Sequence, residues 1–146
     1  MPNLPIIGWR EWVSFPDLSI THVKAKIDTG ARTSALHAFD VERFQHQGKA
    51  MVRFKVHPNQ KDELTTLTAE AELLEERQIR DSGGHTELRP VIQTKIELGP
   101  HQWAIEMTLT NRSAMGFRML LGREALRQRF MIDAGNSYLQ SKAIAP

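Results

Sequence analysis

Ala25-Lys26-Ile27-Asp28-Thr29-Gly30-Ala31 is an apolar-alternating run that breaks into a turn. Val23 to Ile27 reads Val-Lys-Ala-Lys-Ile, a period of two, which predicts a strand with one buried face. Asp28-Thr29-Gly30 then ends it. Far downstream, Met119-Leu120-Leu121-Gly122-Arg123-Glu124-Ala125-Leu126 sets two leucines before Gly-Arg and a short helical pattern. A lone Asp-Thr-Gly is three common turn residues. The strand before it and the second apolar-apolar-Gly-Arg segment give it weight.

Working outward, the apolar runs are short and separated by turns. Ile6 to Val13 predicts a first strand, and Phe15-Pro16-Asp17 a turn, because proline fixes its own φ and restricts the residue before it. Ser34 to Phe39 and Met51 to Val56 predict further strands, and Pro58-Asn59 falls in a loop. Pro90 to Leu98 and Trp103 to Leu109 alternate around Gly99-Pro100-His101-Gln102, a hairpin pattern. Phe117 to Leu121, Met131-Ile132 and Tyr138-Leu139 predict short closing strands. Gly122 to Phe130 predicts the single short helix, with Leu126 and Phe130 four apart on one face. Residues 69 to 80 pull both ways: their helix formers and the Glu76/Arg80 spacing favour helix, yet Ala69-Glu-Ala-Glu-Leu alternates like a strand. Asp81-Ser82-Gly83-Gly84 is a turn. Eight or nine short strands with Gly/Pro turns and one helix argue for an all-β protein, a closed barrel or a sandwich.

The chain has 146 residues, which suits one domain over 1–146 and leaves no room for two full lobes. It has no cysteine, which excludes a disulfide scaffold, a thiol nucleophile and a thiolate metal site. Lys and Arg number 19 against 17 Asp and Glu, a net charge of +2. That is weak support for nucleic-acid binding, which prefers a dense basic patch. Met1 to Phe15 lacks a signal-peptide pattern, and no window reaches the roughly 18 apolar residues of a spanning helix. The expectation is a cytoplasmic protein with no membrane or nucleic-acid partner. Asp62 to Glu87 is acid-rich and Arg112 to Arg129 arginine-rich. Opposed charge of this kind suits solvated faces, or a basic segment meeting an acidic substrate.

The pair of Asp28-Thr29-Gly30 and Gly122-Arg123 resembles the retropepsin-like aspartic proteases. The match is densest at Ile7-Gly8-Trp9-Arg10-Glu11-Trp12-Val13, Pro16-Asp17-Leu18 and Lys24 through Ala38. There the chain is similar to a bacterial family labelled ATP-dependent zinc protease, whose members resemble the retropepsin-like protease associated with an ATP-grasp glutamate ligase that tails a ribosomal protein. The resemblance implies a retropepsin-like closed β-barrel, the acid-protease fold, with one short C-terminal helix. It implies a catalytic Asp28, a Thr29 hydroxyl that ties two catalytic loops together, and Gly122 packed behind the loop. It implies that Gly83-Gly84 forms a flap over substrate, and it favours extended structure for residues 69 to 80. Ala31, Arg32, Gly83, Gly84 and Arg123 are the expected substrate-binding residues. Partners would be a second copy and a peptide or protein substrate, including a glutamate-tailed ribosomal protein, with a functional link to the ligase.

The chemistry follows from carboxylates. Hydrolysing an amide without metal or covalent intermediate needs one carboxylate to activate water and one carboxylic acid to protonate the carbonyl. Two carboxyls held close share a proton because they cannot both ionise. Asp28 supplies one, and Gly30 lets the backbone turn beside it. Asp81-Ser82-Gly83 follows a basic residue too soon after Asp28 for a second lobe, and Asp133-Ala134-Gly135 reads as a turn. A two-fold axis that sets Asp28 against its mate is the remaining solution, which predicts a homodimer. Arg32 stands where retropepsins commonly carry an acid. It could lower a carboxylate pKa, clamp a substrate carboxylate, or join Arg123 in structural ion pairs.

No cofactor is expected. There is no His-Glu-x-x-His, and His37 with Asp40 is the one close His/Asp pair, short of the three protein ligands of a catalytic zinc. There is no Gly-x-x-x-x-Gly-Lys loop for ATP. Trp9, Trp12 and Trp103 read as core or barrel-edge residues, because no basic cluster interleaves them.

Overall fold

The computed structural model describes residues 3–57, 65–80, 83–111 and 116–141. Pro58, Asn59, Asp62, Asp81, Ser82 and Arg112 lie outside the described residues. The described strands in chain order are β1 (Ile6–Gly8), β2 (Arg10–Phe15), β3 (Ile20–Asp28), β4 (Ser34–His37), β5 (Phe39–His46), β6 (Lys49–Val56), β7 (Leu67–Arg80), β8 (Thr86–Leu98), β9 (His101–Thr110), β10 (Met119–Gly122) and β11 (Met131–Asp133). A 3₁₀ turn spans Pro16–Leu18, and helix α1 spans Arg123–Leu126.

Nine strands form one sheet in the order β2-β3-β10-β4-β9-β8-β7-β6-β5, while β1 and β11 pair in parallel as a small second sheet. The fold is all-β. The large sheet curls until β2 meets β8 at one residue pair, Ser14 with Glu97. Closure is limited to that pair, and β7, β6 and β5 run on beyond it. Strand alternation sends Val23 and Ala25, Val52 and Phe54, Ile92 and Ile96, and Met107 and Leu109 into one shared core, capped by Trp103, Leu126 and Phe130.

Several local expectations change. The first predicted strand breaks at Trp9, so β1 joins β11 and β2 joins β3. The helix expected from Gly122 to Phe130 stops at Leu126, because Arg127 is extended and Gln128 left-handed at φ 64. Tyr138-Leu139 lies outside the described strands and is bound by backbone and side chains as a strap. Residues 69 to 80 are strand, as the resemblance favoured. There β6 pairs with the stretch up to Glu72 and β8 with the stretch from Leu73 onward, and the charges pair across strands as Arg53–Glu70 and Arg43–Glu76. Tertiary pairing overrides helix propensity. The β7–β8 pairing runs out to Arg80 with Thr86, and beyond it Gly84 has φ +85.

Candidate active site

Strand β10 is inserted between β3 and β4, the two strands that the Asp28 loop connects. It runs parallel to β3, with Leu121 beside Ile27 and Gly122 beside Asp28, and antiparallel to β4, with Leu120 beside Ala35. The loop 29–33 therefore crosses over the end of β10. Gly122 is needed for that crossing, since a Cβ there would lie 2.7 Å from the Thr33 carbonyl carbon and 2.9 Å from the Ser34 nitrogen. The buried end of β10 and the start of α1 then bind the loop. Gly122 N donates to Ser34 Oγ (2.9 Å), Arg123 N to Ala31 O (2.7 Å) and Glu124 N to Arg32 O (3.1 Å). Arg123 Nη1 donates to Thr29 O (3.1 Å). The first N–H groups of a helix lack partners within it, and here the loop carbonyls supply them.

Inside this frame Asp28 is half-buried. Its Oδ1 accepts from Gly30 N (3.1 Å) and Ala31 N (3.3 Å). Those two bonds fix the carboxylate plane. Among the described residues no donor reaches Oδ2 and no base pairs with Asp28. The side chain borders a cleft of about 1460 Å³, which Phe117, Leu120 and the Arg77–Arg80 stretch of the hairpin also line.

The expected site residues divide. Asp28, Gly30, Ala31, Arg32 and Arg123 border the cleft. Thr29 is exposed at the loop's crest, and Gly83 and Gly84 sit at the exposed hairpin tip. Arg123 is anchored to a loop carbonyl, so it braces the turn, and neither it nor Arg32 forms an ion pair with an acid among the described residues. The other described carboxylates that border the cleft are engaged: Glu106 with Arg77 (2.8 Å) and Glu124 with Arg127 (3.6 Å). Asp133 accepts from Gly135 N (3.0 Å) and Asn136 Nδ2 (2.7 Å) and does not border the cleft. Among the described residues no three His, Asp or Glu side chains gather as a metal site. No described helix is long and apolar enough to cross a membrane.

Sequence reading missed Ser34, whose buried hydroxyl accepts the Gly122 N–H from 88 positions away. It also passed over Lys26, although period two already set Lys26 on the face of Asp28. Arg89 is buried, bordering the cleft, with Nε on Glu87 (3.0 Å).

A strand-end Asp-Thr-Gly loop crossing an apolar-apolar-Gly strand, with a long hairpin opposite, defines the retropepsin-like aspartic-peptidase fold. Sequence comparison agrees, and places the chain within that class. The chain belongs to the RimB-like family, described as retropepsin-like aspartic endopeptidase RimB, which matches residues 6–143. It is 44% identical over 136 residues to a probable alpha-L-glutamate ligase of Shewanella halifaxensis, covering 93% of this chain and 30% of that protein. It is 48% identical over 128 residues to a protein of the same description from Desulfotalea psychrophila, covering 88% and 28%. The chain thus spans less than a third of these relatives. A crystal structure of a Legionella pneumophila protein of unknown function superposes with a TM-score of 0.78 at 26% identity, covering 94% of this chain and 99% of that one.

Proposed function

We propose that the chain is one half of an aspartic-type peptidase, with Asp28 of two copies meeting across a two-fold axis. The observation that supports this most is the state of Asp28: one oxygen held by two backbone N–H groups, the other without a donor among the described residues, and both at a large cleft. One aspartate of the pair, ionised, takes a proton from water as it attacks the amide carbon. The other, protonated, gives its proton to the carbonyl oxygen. Collapse of the tetrahedral intermediate returns a proton to the leaving amine. The exposed Thr29 would meet its mate at the same axis. The hairpin would close over an extended peptide, with Gly83 and Gly84 at its tip and Ala31 and Arg32 beside the chain. An acidic, glutamate-tailed substrate, including a ribosomal protein in the cytoplasm, fits the arginines along the cleft. The ligase description of the longer relatives supports a functional link between tail addition and tail removal.

The test is an assay of purified protein on unmodified and glutamate-tailed peptides, with and without chelator. Asp28→Asn should lower turnover by about 10³-fold or more, since it removes the acid–base pair. Turnover should ignore chelator, and active material should sediment as a dimer. Chelator-sensitive turnover would favour a zinc peptidase, and peptide binding without turnover a binding module. A monomeric active species would overturn the shared dyad.

A further inference from the structure

Seven basic side chains border the cleft, and their partners sort them. Arg77 is paired with Glu75 and Glu106, Arg89 with Glu87, Arg123 with the Thr29 carbonyl, and Arg129 lies over the Trp103 ring. Lys26, Arg32 and Arg80 make no ion pair among the described residues. Lys26 differs from the other two in its mounting. It stands on β3 between β2 and β10, where backbone bonding on both sides fixes its origin, while Arg32 lies in a loop and Arg80 ends the hairpin.

The strand sets Lys26 relative to the reacting group. Val23 and Ala25 face the core, so Lys24, Lys26 and Asp28 share the outer face. Lys24 is occupied, its ammonium over the Trp12 and Phe117 rings at 5.9 and 5.5 Å from their centroids. Lys26 is exposed, two positions before Asp28 and beside Leu120, and makes no ion pair with Asp28. Two strand residues span roughly 7 Å. The long side chains of lysine and of a glutamate flanking a scissile carbonyl at Asp28 together cover that span.

We propose that Lys26 is the specificity-determining residue that receives an acidic side chain next to the scissile bond. The inference rests on the aspartic-peptidase reading and adds what this site selects. Leu120 supports the aliphatic stem of such a glutamate, and the ammonium meets its carboxylate. An uncharged isostere such as glutamine keeps the stem contact and loses the charge contact.

The experiment uses the full chain and internally quenched peptides that differ only at the residues flanking one scissile bond: Glu, Gln or Lys. Wild type should prefer Glu to Gln by about ten- to a hundredfold in kcat/KM, the range for one hydrogen bond to a charged group. Lys26→Met should bring the Glu:Gln ratio close to one while the Gln peptide is still cleaved. Lys26→Glu should turn preference towards the Lys peptide, a rescue that mere structural damage would not produce. A Glu:Gln ratio unchanged in Lys26→Met overturns the assignment. Binding separates this failure from failure of the peptidase reading. If wild type cleaves nothing, that reading falls, and fluorescence titration of the same peptides then decides. A Glu-over-Gln preference in binding that Lys26→Met removes supports Lys26, and one that it leaves intact, or no preference at all, overturns it.

Discussion

Asp28 and Glu11 are both held by backbone N–H groups, and they are held to opposite ends. Asp28 receives two, both on Oδ1, and is half-exposed at the cleft. Glu11 is fully buried and receives five donors: the N–H groups of Gly8, Leu139, Gln140 and Ser141, and the Ser141 hydroxyl, at 2.7 to 3.1 Å and shared between both oxygens. A buried charge is tolerable when its lone pairs are filled. Glu11 is therefore spent on structure. It fastens the strap 139–141 across β2, while Tyr138 stacks on Trp12 and Gln140 reaches the Ile6 carbonyl. Asp28 is oriented by one oxygen and keeps the other for substrate or water. The number of donors separates the structural carboxylate from the one we propose as reactive.

Substitutions should pull the two apart. Asp28→Asn, expected to remove nearly all turnover, should leave the melting temperature close to wild type, because an asparagine oxygen still accepts from Gly30 and Ala31. Glu11→Ala should do the reverse. It strands four buried or half-buried N–H groups, for a loss of about 3–5 kcal/mol. For a domain of this size the melting temperature should fall by on the order of 10 °C. Hydrogen exchange should speed up at 139–141 first. If Glu11→Ala melted like wild type, the strap would be fastened by packing alone. Gly122→Ala comes next. Its φ of −87 suits any residue, so the cost is space: the new methyl must displace the Thr33–Ser34 backbone, at about 1–3 kcal/mol. Because that backbone leads back to Asp28, kcat should fall together with stability. An active, fully stable Gly122→Ala would show that the crossing has slack.

How much of this was legible in the sequence depended on where the partners lie. Asp28 and Gly122 could be read because each ends an apolar strand and carries its own turn residues, so the local pattern states the role. Lys26 was legible by alternation alone. Ser34 and Glu11 were not, since their meaning lies in N–H groups 88 and about 130 positions away, and any serine or glutamate in a strand looks the same beforehand. β5 stayed hidden for another reason. None of Phe39–His46 is buried, so an outer strand left no apolar period to find. The overlong helix reflects the limit of spacing arguments, for Leu126 and Phe130 are both buried as expected, but a left-handed Gln128 brings them there.

Asp133 gives the comparison its gentlest test, because it is a third carboxylate with backbone support, half-buried and away from the cleft. The Asn136 side chain and then the Gly135 N–H hold its pKa below the ordinary 3.8. A lowered folded-state pKa stabilises the protein above the unfolded value, and that contribution is lost as pH falls through the folded one. Solvent reaches the carboxylate and screens it, so the effect should be small. Asp133→Asn should therefore melt slightly below wild type at pH 6, and the gap should close as pH falls below 3.8 and through the lowered folded-state value. A gap that persisted at pH 2 would mean that Asp133 works by turn geometry, which a neutral acid also satisfies. Closure would mean that its charge matters even with two donors and open water around it. Donor number would then predict how firmly a carboxylate is held here, and burial how much that hold contributes to stability.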